Sequence, residues 1–181
     1  MVFAGKIRYA GDGRYKAYMV PPFEANHASF LELLPNGDML LAWFSGKEEG
    51  YSGVAIVLSR LKSGSNQWSN ATVVSQRKGY SNQNPVIFSD PKSKMVHLFH
   101  SQQPGETQTI PRSEATAKIW TLNSTDLGVT WSKPYELFSK DGSFDRNRIV
   151  VRINGEWILP MYYAGELYTL CGLCLGRAWV V

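Results

Sequence analysis

Three times the chain passes through a turn, an apolar strand and a polar stop, and this recurrence limits the fold more than any single motif does. The copies are Pro35–Phe44, Asp90–Phe99 and Asn154–Tyr163. Gly37 and Gly155 lie 118 positions apart, two repeats of 59. A second pattern keeps the same beat: Asn84-Pro85-Val86-Ile87-Phe88 returns as Asn147-Arg148-Ile149-Val150-Val151, 63 positions later. A unit of about 60 residues holds about four short strands. Such units bury their faces against one another as the blades of a β-propeller do.

One turn stands out within this frame. Ser124-Thr125-Asp126-Leu127-Gly128-Val129-Thr130-Trp131 has the form S-x-D-x-G-x-T-W. Asp126 is expected to accept backbone N–H groups two residues on, as an Asx turn does. Gly128 is placed to take a positive φ, and Ser124 or Thr130 to cap the loop with a hydroxyl. Trp131 is expected to start a strand and anchor the hairpin with its ring. Ser59–Asn70 is a worn copy, starting 65 positions before Ser124, with two extra residues and Leu61 where the aspartate belongs. That turn is therefore expected to hold its shape through glycine and serine, without a carboxylate.

Composition agrees with many strands and turns. The 181 residues are 13% aromatic and include 16 Gly and 9 Pro, a balance that favours sheets and tight connections. No amphipathic helix is apparent. Val54–Leu58 is expected to be a buried inner strand, and Ser101–Glu114, polar with two prolines, a long loop. The net charge of +4 comes from scattered Lys and Arg, which argues against nucleic acid as a partner. No stretch reaches the ~18 apolar residues of a membrane span, and the first residues lack the apolar run of a signal peptide. Compartment is left open. Cys171 and Cys174 lack the second ligand pair or βαβ context that a metal or redox site needs, so they are expected to be reduced core thiols. Neither a metal nor another cofactor is expected.

At about 60 residues each, the chain holds about three blades, and a propeller closes with about four or more. The expectation is a single partial domain over 1–181, the first half of a larger ring, with 169–181 as an atypical tail.

From Asn26 to about Gly165 the order of motifs resembles the sialidase-like family of BNR, or Asp-box, repeats. The matching pieces are His27-Ala28-Ser29, Leu34-Pro35-Asn36-Gly37-Asp38, Ala42–Gly50, Leu58-Ser59-Arg60, Asn84-Pro85-Val86 and the octet with Ser132-Lys133-Pro134. The resemblance implies an all-β, six-bladed sialidase-like propeller with a site at its axial mouth, of which this chain supplies about three blades. It implies a glycan ending in an acidic sugar as partner, and exo-cleavage of sialic acid as activity. Such enzymes grip the carboxylate with arginine forks and use a tyrosine nucleophile. The chain departs from them where they carry Arg-Ile-Pro, since it has His27-Ala28-Ser29. A histidine donates a hydrogen bond or carries a proton below pH ~6.5, but it is no fork. That difference points away from an ordinary sialoside. The remaining arginines, the glutamate and the tyrosine would belong to further blades.

Position nominates the candidates. Lys47, Glu48 and Glu49 occupy a strand-end loop between Gly46 and Gly50, where a mouth collects polar groups. Glu49 is the candidate acid/base, and Lys47 a point charge for a carboxylate. His27 and Asn84 are candidate lining residues. In Asp145-Arg146-Asn147-Arg148 alternation puts the two arginines on opposite faces, and Arg148 is expected to face the substrate. His97 and His100 lack metal-ligand company and are expected to be structural, as are Tyr162 and Tyr163. A catalytic sialidase-like domain that is inactive as three blades, a carbohydrate-binding propeller without catalysis, and a polysaccharide-active enzyme of other chemistry all remain open at this point.

Overall fold

The computed structural model describes residues 4–107, 114–164 and, by backbone, 169–175. A hairpin, β1 (Arg8–Gly11) and β2 (Arg14–Lys16), precedes three antiparallel sheets. The first blade orders β3 (Ala25–Leu33), β4 (Met39–Gly46), β5 (Ala55–Leu61) and β6 (Thr72–Ser75) from axis to rim. The second orders β7 (Tyr80–Ser89), β8 (Val96–Pro104), β9 (Lys118–Ser124) and β10 (Tyr135–Phe138). In the third, β11 (Ser143–Asp145) and β12 (Val150–Val151) share the axial position, followed by β13 (Trp157–Tyr163) and β14 (Thr169–Leu175). The chain is thus all-β, with three blade-like sheets of a sialidase-like propeller. Among the described residues no helix is long and apolar enough to cross a membrane.

The three repeats are the hairpins between the first two strand positions of each blade. Blade 2 is covered on both faces, and β7 and β8 are buried along nearly their whole length. Ile87, Val96, Leu98 and Leu122 pack on Leu40, Phe44, Ile56 and Leu58 of blade 1. Val86, Phe88, Phe99 and Ile119 pack on Ile149, Leu159 and Met161 of blade 3. Pro160 sits where β13 has no axial partner, in the gap between β11 and β12, so its missing N–H costs no ladder bond on that side.

The S-x-D-x-G-x-T-W turn joins β9 to β10. The Asp126 carboxylate accepts the backbone N–H groups of Val129 (3.1 Å) and Thr130 (2.9 Å), three and four residues on rather than two. Ser124 Oγ accepts the Gly128 N–H at 2.7 Å and donates to Asp126 at 2.6 Å. Leu127 and Gly128 are both left-handed, with φ of 60° and 78°. Trp131 packs against the core between blades 1 and 2 but lies outside any strand, since β10 begins only at Tyr135. The ring is held by the turn, which leaves no need for a ladder.

The worn copy also uses a carboxylate, contrary to expectation. Asp38, from the neighbouring hairpin, accepts the Ser63 N–H (2.8 Å) and pairs with Arg60 (2.7 Å). Arg60 also donates to the Leu127 carbonyl, stitching blade 1 to the intact turn of blade 2. β5 is a buried strand inside its sheet, between β4 and β6, as expected of Val54–Leu58. One further expectation changes. Ser101–Pro104 continue β8 rather than opening a loop. Residues 169–175 of the expected tail pair with β13. The side chains of Cys171 and Cys174 and residues 176–181 lie outside the described residues.

Candidate functional site

The three axial strands share one irregularity. From His27 to Phe30, three steps on β3 oppose two on β4. From Gln83 to Val86, three steps on β7 oppose two on β8. From Asp145 to Val150, five steps oppose three on β13. Bulges of this kind re-aim side chains. Ala28 and Asn84 take φ of 51° and 52° inside them, a strained choice for residues with a Cβ.

The bulges converge on one cavity of about 310 Å³, bordered by His27, Ser29, Phe30, Asn84, Pro85 and Arg146. It lies at the starting end of the axial strands. The Asp126 turn lies at the opposite end, because β9 runs there before turning. A larger cavity of about 460 Å³ shares His27 and continues over Met19, Leu41 and Trp43. Its walls are mostly apolar, so the polar chemistry resides in the smaller one.

Each wall has its support. The His27 ring tilts against Phe44, 5.5 Å between centroids. The preceding Asn26 accepts Trp43 Nε1–H (2.9 Å) and Ser45 Oγ–H (2.7 Å), which fixes where β3 enters the mouth. Asn84 is buried close to the Tyr162 hydroxyl, whose charge Asn84 and the Arg146 guanidinium both favour. The Tyr162 ring stacks on Phe144 at 5.2 Å, and burial pushes its phenol above the usual range. Behind Arg146 lies Asp145, fully buried. One of its oxygens accepts the Ser101 Oγ–H at 2.7 Å, and the other has no partner. Burial raises its carboxyl to about 7.

His27 and Asn84 thus come together with Arg146. Lys47 and Glu49 are on the β4–β5 loop at the same end, since Gly46 pairs with Ala25, but neither borders the cavity. Lys47 is exposed and Glu49 half-buried. Arg148 is elsewhere. It pairs with buried Glu32 and donates to the Leu31 carbonyl at 2.8 Å. The Glu32 carboxylate in turn accepts the Ser89 N–H at 3.1 Å, so one ion pair ties the axial strands of all three blades. His97 bonds Asn123 at 2.8 Å among Phe88, Phe99 and Trp157. His100 bonds Ser75 across the blade 1–2 interface at 2.9 Å. No group of three or more His, Cys, Asp or Glu side chains able to hold a metal occurs among the described residues.

Arg146, which borders the cavity, and Tyr162 behind it were not singled out in the sequence. Strict alternation does not say which arginine borders the cavity once a bulge intervenes. The signal was present in the Asn84/Asn147 echo, which marks both bulges.

The sequence profile of the BNR repeat-like domain matches residues 37–176. The chain belongs to the sialidase-like BNR-repeat family. Solved structures of similar fold include a leech intramolecular trans-sialidase solved with 2,7-anhydro-Neu5Ac. It is 13% identical with a TM-score of 0.66, over 94% of this chain and 46% of that one. The NanB sialidase of Streptococcus pneumoniae is 10% identical with a TM-score of 0.64, over 97% and 46%. An intramolecular trans-sialidase of Ruminococcus gnavus is 10% identical with a TM-score of 0.64, over 86% and 62%. The family member described here therefore spans less than two thirds of the length of these chains. No curated protein sequence matches it significantly.

Proposed function

We propose that the mouth of this propeller binds the carboxylate of a terminal acidic sugar, as the substrate side of a sialidase-like exo-glycosidase domain. The observation that carries this reading is the convergence of Arg146, His27 and Asn84 on one polar cavity at the ends of the axial strands. A guanidinium fork accepts a carboxylate bidentately, and the reading gives that fork to Arg146 while Arg148 laces the axis. The Asn84 amide and the His27 ring supply hydrogen bonds to ring substituents. Lys47 adds a mobile point charge at the rim. Glu49 is the proposed proton donor to the leaving oxygen, and further blades would supply the nucleophile.

A carbohydrate-binding role without catalysis is the second reading, favoured by His27 where the family's enzymes have an arginine. Calorimetry with the α-methyl glycoside of sialic acid and with its methyl ester tests binding. The acid is expected to bind the chain, the ester to bind at least tenfold more weakly, and Arg146→Ala to remove the difference. Equal binding of acid and ester would sink the carboxylate assignment. The 181-residue chain is expected to release no fluorophore from a fluorogenic sialoside. Turnover abolished by Glu49→Gln would show instead that three blades suffice.

A further inference from the structure

The geometry points to a second ligand site, on the flank of blade 2, that takes an uncharged sugar. A cavity of about 380 Å³ opens there, bordered by Arg77, Tyr80, Gln102, Lys118, Trp120 and Glu136 among others. It shares no bordering residue with the mouth. All four strands of the blade contribute. Lys118 lies opposite Gln102 in the β8–β9 register, and Trp120 opposite Glu136 in the β9–β10 register, so these four side chains project from one face.

The site is built around a stacked arginine. Arg77 reaches across from the link between β6 and β7, and its guanidinium lies 3.8 Å from the Tyr80 ring centroid and 5.4 Å from that of Trp120. It donates to buried Gln102 Oε1 at 3.1 Å, which fixes the plane. Both rings are half-buried. The guanidinium covers the Tyr80 ring, which leaves the half-buried Trp120 ring as the aromatic surface bordering the cavity. A pyranose presents an apolar C–H face to such a ring and hydroxyls around its edge.

Charge decides which sugar. Lys118 reaches Glu136 at 3.6 Å and Asp141 at 4.0 Å. Lys118 thus lies between two carboxylates, and Arg77 borders the same cavity, so two cations and two anions line it. An acidic sugar would meet the carboxylates as like charges. A neutral sugar satisfies both signs, its hydroxyls donating to Glu136 and Asp141 and accepting from Lys118 and Arg77. Acidic sugar at the mouth and neutral sugar on the flank would let one glycan type be held at two points.

Saturation-transfer NMR on the 181-residue chain, with glucose, galactose and lactose against N-acetylneuraminic acid, tests this. At least one neutral sugar is expected to receive saturation. Trp120→Ala should abolish the signal, and Glu136→Gln, an exposed change that spares the core, should weaken binding about tenfold, the loss of one charged hydrogen bond. Arg146→Ala should leave it intact. The site is refuted if no neutral sugar receives saturation, if the signal survives both Trp120→Ala and Glu136→Gln, or if it vanishes with Arg146→Ala.

Discussion

Asp145 and His100 are buried on opposite faces of the second blade, and their titrations oppose each other. Asp145 is bonded to Ser101 towards blade 3, and His100 to Ser75 of blade 1. The Asp145 carboxyl is raised from 3.8 to about 7 and the His100 imidazole lowered from 6.5 to about 4, each mainly by desolvation. His100 is held neutral with Nδ1–H donating to the Ser101 carbonyl at 3.2 Å, which leaves Nε2 to accept the Ser75 hydroxyl. For Asp145 the folded state holds the proton longer, so its contribution is complete below pH 3.8 and is lost as pH rises through about 7. For His100 the unfolded state takes the proton first, so stability is lost as pH falls from 6.5 through about 4. Each pKa unit is about 1.4 kcal/mol. The aspartate therefore contributes a fall on the order of 4 kcal/mol towards neutrality, and the histidine a rise on the order of 3 kcal/mol. Between pH 4.5 and 6.5 the two slopes nearly cancel. Asp145→Asn keeps an oxygen for the Ser101 hydroxyl and removes one slope. Urea unfolding at half-unit steps should then show the variant gaining stability over wild type by about 1.4 kcal/mol per pH unit. His100→Gln should expose the opposite slope. Taking variant minus wild type cancels all other titrating groups. A difference between Asp145→Asn and wild type that stays constant across the window would refute the buried-carboxyl account.

Other perturbations address the stitching and the core. Arg60→Met leaves Asp38 facing Ser63 without its cation and frees the Leu127 carbonyl; the arginine and Asp38 side chains are 14% and 13% exposed. The unfolding free energy in urea titrations should fall by about 2–3 kcal/mol, and Arg60→Lys, lacking the fork, should not restore it. Leu98→Ala opens a cavity between blades 1 and 2 at a fully buried position, and chemical denaturation should report a loss of about 2–5 kcal/mol. Gly105→Ala would bring a Cβ within 2.3 Å of Ser52 Cα and part the two rim loops. Faster proteolytic nicking at 47–54 is the expected sign, and an unchanged rate would show that the loops move apart without cost.

The blade count, the hairpin turns and the fold-stapling role of the octet were legible in the sequence because each rests on local chemistry. A turn needs its Asn-Gly or its Asp wherever the rest of the chain goes. The site was legible only in part. His27 and Asn84 stand at bulges whose backbone the sequence marks, whereas the choice between Arg146 and Arg148 depends on how many extra residues the third bulge carries. Asp38 holding the worn turn was invisible for the same reason. Its partners Arg60 and Ser63 are distant in sequence, and only the stacking of the β3–β4 hairpin beside the β5–β6 loop brings them together.

The two ends of the axial strands carry different kinds of polar group, and this separates stability from binding. At the Asp126 end the charges are used internally: Asp126 closes its own turn, and Asp38 with Arg60 bridges two blades. Along the axis Glu32 and Arg148 link three strands. Removing any of these leaves a partner behind, so the cost falls on folding. At the mouth the exposed His27 and Arg146 side chains stand beside left-handed residues at Ala28 and Asn84, and backbone strain of this kind clusters at binding sites. Truncating His27 or Arg146 should therefore leave the unfolding free energy within about 0.5 kcal/mol of wild type while removing ligand binding. Truncating Arg60 should do the reverse. If His27→Ala destabilises the fold as much as Arg60→Met, the bulges serve packing, and the mouth loses its claim to be a binding site.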